Sequence, residues 1–236
     1  MTKIAKLNFH ILTLFPSYFV PLKCDGVISR AIQNNLISLE SIDLRNYAYN
    51  ERKNVDSKPY GGGDGMVLRA DVLEHALSDN SLDAGKSFVI NLSPSGVLFD
   101  SKLAKELLNH SSLTLICGRY SGVDQRFIDK HVDLELSIGS YVVSGGELPA
   151  AIIVDAMSRF LPGVLGNKES ALLDSFEGGL LEGPVYTRPF DFHGLTPPEV
   201  LLSGDHKKIE DFRADQNLSK TRKVRPDILK KKPKKV

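Results

Sequence analysis

Two short apolar runs around an amphipathic stretch constrain the fold of this chain more than any other feature. Residues 87–92 and 113–118 are apolar and bounded by turn residues, which is typical of buried strands. Residues 99–110 between them carry leucines near helical spacing, and Asp100 or Ser101 can cap that helix. The order strand, helix, strand predicts a parallel pair joined by a crossover, and hence an α/β fold with a parallel sheet.

Further elements fit the same pattern. Residues 6–15 are predicted to form another buried strand, and residues 27–37 and 70–78 to form amphipathic helices. Residues 147–163 form the clearest helical pattern, with a proline in the first turn and a Pro-Gly pair at the end.

The composition changes after this helix. Residues 164–174 are mostly small and polar, and we interpret them as a linker between domains 1–163 and 175–236. The second segment is rich in proline at first and becomes helical from about Asp205. We therefore expect a small, mostly helical C-terminal domain.

The charge is distributed unevenly along the chain. The net charge is +1, but residues 218–236 carry +8 and residues 1–217 carry −7. A basic tail on an acidic body indicates a polyanionic partner. The alternative for the last six residues is a solvated, disordered terminus.

Several classes of protein are disfavoured. Cys24 and Cys117 lie in apolar stretches without a CxxC motif, so we expect buried free thiols in a reducing compartment. No histidine has metal-ligand spacing to another histidine or a cysteine, so no metal site is predicted. No apolar run approaches the roughly 18 residues of a membrane span. We expect a cytoplasmic protein with no membrane partner.

Four loops are rich in glycine: residues 59–66, 93–96, 117–122 and 137–149. Two of them follow predicted strands directly, and ligands of open α/β sheets bind beyond the carboxyl ends of strands. Glycine lets the backbone approach a ligand closely. Several such loops together would offer many backbone N–H and C=O groups, which suit the edge of an adenine ring. Each loop alone could be a flexible turn. None matches the Walker A or GxGxxG pattern, which disfavours ATP and NAD.

Ten short motifs then appear in order along the chain. They are LFPSYF (14–19), DGVISRA (25–31), VDSKPYGGGDGM (55–66), LSPSG (92–96), ICGRYSGVDQR (116–126), SIGSYVVSGGELPA (137–150), SRFLPGVLG (158–166), DSFEGGLL (174–181), YTRP (186–189) and PPEVLLSGDH (197–206). With them the chain closely resembles the TrmD family, the bacterial tRNA (guanine-N1)-methyltransferases of the SPOUT class, from about residue 9 to residue 227.

The resemblance implies a deep trefoil knot in the first domain, an S-adenosyl-L-methionine cofactor bound in it, and an obligate homodimer with active sites at the subunit interface. The implied reaction methylates N1 of guanosine 37, next to the anticodon, so the partner is the anticodon stem-loop of tRNA. The cofactor-binding residues carried over from the motifs are Pro94, Gly118, Tyr120, Ile138, Gly139, Ser140, Tyr141, Val142, Val143, Gly145 and Gly146.

The chemistry of guanine indicates what the catalytic residues must do. N1 carries a proton at neutral pH, so the site needs a base there and a group that stabilises charge on O6. By resemblance, Asp174 is the general base and Arg159 the partner of the guanine. The alternatives are a helix N-cap for Asp174 and a dipole interaction at a helix end for Arg159. Glu147 receives only a supporting role.

The basic residues of the C-terminal segment are the predicted RNA-binding set, because neutralising phosphates requires cations. They are Lys207, Lys208, Arg213, Lys220, Arg222, Lys223 and Arg225.

This chain departs from the family pattern in four places. Ser121 stands where the family usually has the glutamate linked to magnesium dependence, which leaves a magnesium requirement uncertain. Ser140 replaces an aspartate and Asp205 an asparagine, and the loop before residue 59 lacks a usual histidine. The alternatives to this function are a SPOUT enzyme with another RNA target and a non-catalytic RNA-binding protein.

Overall fold

The structure is a computed structural model that describes residues 6–83, 85–166 and 174–230. The chain divides into two compact units, the first ending at Gly166 and the second following it. No helix in these described ranges is long and apolar enough to cross a membrane.

The first unit contains a parallel sheet of five strands in the order β2-β1-β6-β5-β7, and a small antiparallel pair, β3 and β4. The strands are β1 (Leu7–Thr13), β2 (Ile37–Asp43), β3 (Asp56–Ser57), β4 (Val67–Leu68), β5 (Phe88–Leu98), β6 (Ser112–Cys117) and β7 (Leu134–Ser137). The predicted α/β class with a parallel sheet is confirmed.

Six α-helices accompany these strands. They are α1 (Val20–Cys24), α2 (Gly26–Gln33), α3 (Ala70–Asp79), α4 (Ser101–Leu107), α5 (Gln125–His131) and α6 (Glu147–Ser158). Short 3-10 helices cover Pro16–Phe19 and Leu44–Tyr47.

Apolar residues cover both faces of the sheet. Phe9 and Ile11 of β1 join a core cluster that includes Met157 of α6, whereas Leu12 belongs to a second cluster with Leu73 of α3. Adjacent residues of a strand point to opposite faces, so a strand buried on both sides reads as a continuous apolar run. This is why the sequence pattern identified β1, β5 and β6.

Two helix predictions need correction. The helix predicted over 27–37 ends at Gln33, because Asn35 takes a left-handed φ of 57° and the amide of Leu36 turns back to the carbonyl of Ala31. The last residue of that prediction, Ile37, instead begins β2. The helix predicted over 147–163 ends at Ser158 and continues only as turns.

The helix between β5 and β6 begins as its sequence indicates. Asp100 is the N-cap, and its carboxylate accepts a hydrogen bond from the backbone amide of Leu103 at 2.9 Å. Ser101, the other candidate cap, is the first residue of α4.

The glycine-rich stretch 93–96 is a bulge within β5. Leu92 and Val97 both pair with Leu136 of β7, so the four residues between them leave the ladder. A Cβ at Gly96 would overlap the backbone of Leu136, so only glycine permits the strand to close up again after the bulge.

The described residues of the second unit, 174–230, form a 3-10 turn at Glu199–Leu202 and two helices, α7 (His206–Val224) and α8 (Pro226–Lys230). Asp205 caps α7 by accepting from the backbone amide of Lys208 at 3.2 Å.

Two side chains of α7 anchor the segment that precedes it. The fully buried Thr221 Oγ1 accepts from the amide of Leu181 at 2.8 Å, and Asn217 Oδ1 accepts from the amide of Gly183 at 2.6 Å. Because a Cβ at Gly183 would press on Asn217, the backbone lies directly against the helix there.

Replacing this buried threonine tests the anchor. Thr221→Val keeps the shape but leaves the buried amide of Leu181 without its acceptor, so the free energy of unfolding should fall by about 1–3 kcal/mol. Urea unfolding followed by circular dichroism measures the loss. Thr221→Ser, which retains the hydroxyl, and Thr187→Val, at an exposed position, serve as controls. Equal stability of Thr221→Val and Thr187→Val would contradict the anchor.

Candidate active site

A cavity of about 390 Å³ lies where β5 bulges and where β6 and β7 end. Its wall is formed by residues of β5 and its bulge, of β7, of α5 and of the segments that follow β6 and β7, together with Pro149 in the first turn of α6. Parallel strands bring their carboxyl ends to one edge of the sheet, which is where ligands of this fold class bind. The volume is within the range of small-molecule pockets.

The cavity brings together almost all of the predicted cofactor-binding residues. Gly139 and Ser140 are not part of the wall but lie in the chain between two residues that are, Ile138 and Tyr141. The predicted residues that line the cavity are Pro94, Gly118, Tyr120, Ile138, Tyr141, Val142, Val143, Gly145 and Gly146.

Glycine is required where the loops meet. A Cβ at Gly146 would come within 2.5 Å of the Cα of Cys117, and one at Gly145 would overlap the side chain of Arg119. The amide of Gly146 donates to the carbonyl of Gly118 at 3.0 Å. The loop after β7 therefore packs backbone to backbone on the loop after β6.

A buried ion pair holds these two loops in place. The carboxylate of Glu147, only 1% exposed, accepts from Arg119 Nε at 2.9 Å and from Thr13 Oγ1 at 2.8 Å. Arg119 also donates to the carbonyl of Ser144 at 3.1 Å, and its guanidinium lies 4.5 Å from the ring centre of Phe15. Arg119 therefore connects the start of α6 to the two loops that follow β6 and β7.

Sequence reasoning missed Arg119 and underestimated Glu147. Glutamate at the first position of a helix is common for electrostatic reasons, so its burial was not evident. The available signal was the apolar stretch after Glu147, because an acid buried in such surroundings needs a cationic partner.

The two cysteines differ in environment. Both are free thiols, and Cys117 is buried while Cys24 is exposed, so the prediction that both are buried is wrong for Cys24. The cause is that α1 contributes no buried residue. Burial raises the pKa of the Cys117 thiol, and the nearby Glu147 carboxylate raises it further.

The two predicted catalytic residues belong to different units of the chain. Arg159 is the half-buried C-cap residue of α6, and its amide donates to the carbonyl of Asp155 at 3.3 Å. Asp174 begins the described part of the second unit, and its carbonyl accepts from the amide of Glu177 at 3.3 Å. Residues 174–180 form turns and bends, so the alternative of a helix N-cap at Asp174 is wrong.

All of the predicted RNA-binding residues are exposed side chains on α7 or directly after it. Lys208 pairs with Asp205 at 3.1 Å and Arg225 with Asp227 at 2.8 Å, which offsets part of their charge. Arg222 and Lys223 line a shallow hollow at the end of α7.

Ser121 ties a further glycine-rich loop to the cavity wall. Its amide donates to the carbonyl of Met66 at 2.8 Å and its hydroxyl to the carbonyl of Asp64 at 3.4 Å. Across the described ranges, no cluster of three or more histidine, cysteine or acidic side chains could hold a metal ion.

A parallel sheet with a glycine-lined cavity at the carboxyl ends of its strands defines an α/β protein with a candidate ligand site in its first unit. The chain matches the model of the family described as tRNA (Guanine-1)-methyltransferase TrmD over residues 7–231, and it belongs to that family. The family resemblance drawn from the sequence motifs is confirmed.

Individual relatives agree with this assignment. Proteins named tRNA (guanine-N(1)-)-methyltransferase match with 47% identity over 233 residues in Magnetococcus marinus, 46% over 227 in Stutzerimonas stutzeri and 44% over 225 in Geobacter sulfurreducens. These alignments cover 96%, 96% and 95% of this chain and 91%, 91% and 92% of the three relatives, respectively.

The buried ion pair can be tested through stability. Glu147→Ala removes the partner of Arg119 and the acceptor of Thr13, and breaking a buried pair costs about 3–5 kcal/mol. Glu106→Ala is the matched control, since its pair with Lys102 is exposed and should contribute less than about 1 kcal/mol. Urea unfolding compares the two variants. Equal losses would refute the structural role of Glu147.

Proposed function

We propose that this chain transfers the methyl group of S-adenosyl-L-methionine to N1 of guanosine 37 of tRNA, next to the anticodon. The observation that carries the proposal is membership of the methyltransferase family over nearly the whole chain. The cavity supports it, because the glycine-rich loops that resemble the cofactor loops of that family meet around one space.

The residues of the cavity fit an adenosyl ligand. Gly118, Gly145 and Gly146 bring peptide groups to the wall, and such groups can bond the edge of an adenine ring. Exposed Tyr120 and Tyr141 add aromatic surface at the rim. S-adenosyl-L-methionine supplies the electrophilic methyl group. We extend the proposal to a deep trefoil knot formed by these loops.

Asp174 and Arg159 would perform the proton and charge chemistry. The Asp174 carboxylate accepts the N1 proton of guanine as the methyl group arrives, and the Arg159 guanidinium stabilises the negative charge that develops on O6. Aspartate has an ordinary pKa of about 3.9, so burial upon RNA binding must strengthen this base. The guanine has to leave its stack to reach the site.

A homodimer would complete the site. Leu148 and Ile152 lie one turn apart on α6 and are 51% and 47% exposed, and Val142 beside the cavity is 80% exposed. Contiguous exposed apolar side chains mark interaction surfaces, and here they adjoin the cofactor loops. We propose this face as part of the subunit interface.

The second unit would bind the anticodon stem-loop as a small, mostly helical domain. Its exposed cations on α7 can neutralise phosphates, which makes the affinity for tRNA dependent on salt. A tRNA substrate places the reaction in the cytoplasm. With Ser121 at the position linked to magnesium, we expect a weakened response to that ion.

The general base is tested by Asp174→Asn. This variant keeps the size of the side chain but cannot accept the N1 proton, so the rate constant of methyl transfer should fall by about 10²–10⁴-fold while the affinity for S-adenosyl-L-methionine stays unchanged. Single-turnover methylation of tRNA transcripts, with guanosine 37 present or replaced by adenosine, measures the loss. Asp211→Asn, at an exposed position of α7, is the control. Near-normal turnover of Asp174→Asn would refute the assignment.

The RNA-binding surface is tested by charge removal. The double variant Arg222→Gln/Lys223→Gln should raise the KM for tRNA and reduce the slope of log affinity against log salt by about one per lost phosphate contact. The double variant Lys86→Gln/Lys102→Gln removes the same charge from exposed positions of the first unit. If both variants raise the KM for tRNA equally, the effect arises from the net charge of the protein. That result would contradict the assignment of Arg222 and Lys223 to the RNA-binding surface.

A further inference from the structure

One buried oxygen in the cavity wall lacks a hydrogen bond. Asn91 of β5 is only 3% exposed, and its Nδ2 donates to Glu135 Oε1 of β7 at 2.8 Å. Its Oδ1 is fully buried and has no partner among the residues that the structure describes. Asn91 and Glu135 both line the cavity.

The orientation of this amide follows from its neighbour. An ionised carboxylate only accepts hydrogen bonds, so the NH₂ group of Asn91 must face Glu135 and the amide oxygen must face away from it. Turning the amide over would place two acceptors against each other. Asn91 Oδ1 is therefore a hydrogen-bond acceptor that has no donor among the described residues.

Such an arrangement is costly in the protein alone. A buried carbonyl oxygen without a partner destabilises the fold, and nearly all buried polar groups in proteins are satisfied. An apolar residue would fit a strand whose neighbours Ile90 and Leu92 are both buried. A ligand that donates an N–H to Asn91 Oδ1 would remove the penalty.

We infer that Asn91 and Glu135 form an acceptor pair that binds an amino group of the methyl donor and makes the cavity selective for ligands that carry it. This inference rests on the proposed function and names a specificity determinant within the same site. The methyl donor has two such groups, the exocyclic amine of its adenine and the ammonium of its amino-acid part. Both groups donate an N–H to an oxygen acceptor. Ligand analogues that lack one or the other group distinguish between them.

The first measurement compares variants with one ligand. Asn91→Leu removes the acceptor and retains similar volume, so the Kd for S-adenosylhomocysteine, measured by isothermal titration calorimetry, should rise about tenfold or more. Asn109→Leu, at an exposed position, should bind as the wild type does. An unchanged Kd in Asn91→Leu would overturn the inference.

The second measurement identifies the bonded amine. S-inosylhomocysteine lacks the exocyclic amine, and methylthioadenosine lacks the amino-acid ammonium. The ligand that lacks the bonded amine should lose no affinity on going from wild type to Asn91→Leu, whereas the other should lose as much as S-adenosylhomocysteine. If all three ligands lose affinity by the same factor, no amine contacts Asn91 and the inference is overturned.

A second variant keeps the test independent of folding. Glu135→Gln keeps one oxygen that accepts from Asn91 Nδ2, but it replaces the second carboxylate oxygen with an NH₂ donor, so the pair loses an acceptor for the amino group of the ligand. Its Kd for S-adenosylhomocysteine should also rise severalfold, and equal affinity with wild type would count against the pair. Wild-type protein that fails to bind S-adenosylhomocysteine would overturn the proposed function as well, whereas wild-type binding with unaffected variants would overturn this inference alone.

Discussion

The cavity depends on the burial of a single carboxylate. Glu147 begins α6 beneath the loops, where a charge is tolerated only with good partners. Arg119 and Thr13 supply them from the loop after β6 and from the end of β1. Because Arg119 also bonds the carbonyl of Ser144, satisfying this one charge positions both glycine-rich loops. The ion pair thus holds these two loops where they line the cavity.

Long, strongly patterned elements could be predicted from the sequence, and short ones could not. β5 and β6 are buried on both sides, so their apolar runs were sufficient. β7 has only four residues, with Glu135 between two leucines. A strand of this length is too short for an alternation of apolar and polar residues to be recognised in the sequence. The start of β2 was assigned to the preceding helix, because the left-handed turn at Asn35 has only a weak sequence signal.

The site shows the same division. Glycine-rich loops after strands indicated a ligand-binding edge from local sequence alone, and the family resemblance assigned the residues. Asn91 and Glu135 could not be found in this way, because they are 44 residues apart and meet only when β5 pairs with β7. The burial of Glu147 likewise depends on Thr13, 134 residues away. Tertiary neighbours, not local pattern, determine which polar residues become buried.

The separation of the chain into two units has a consequence for the proposed chemistry. The cavity is built entirely from the first unit, whereas Asp174 and the exposed cations of α7 belong to the second. Within that unit, Thr221 and Asn217 bond the segment that follows Asp174 to the same helix that carries Arg222 and Lys223. Under the proposed mechanism, these two bonds connect the helix that contacts the phosphates to the segment that follows the general base. The unit proposed to bind the RNA is thus also the unit that supplies the proposed base, so the substrate and the carboxylate come to the cofactor cavity from the same side of the domain boundary.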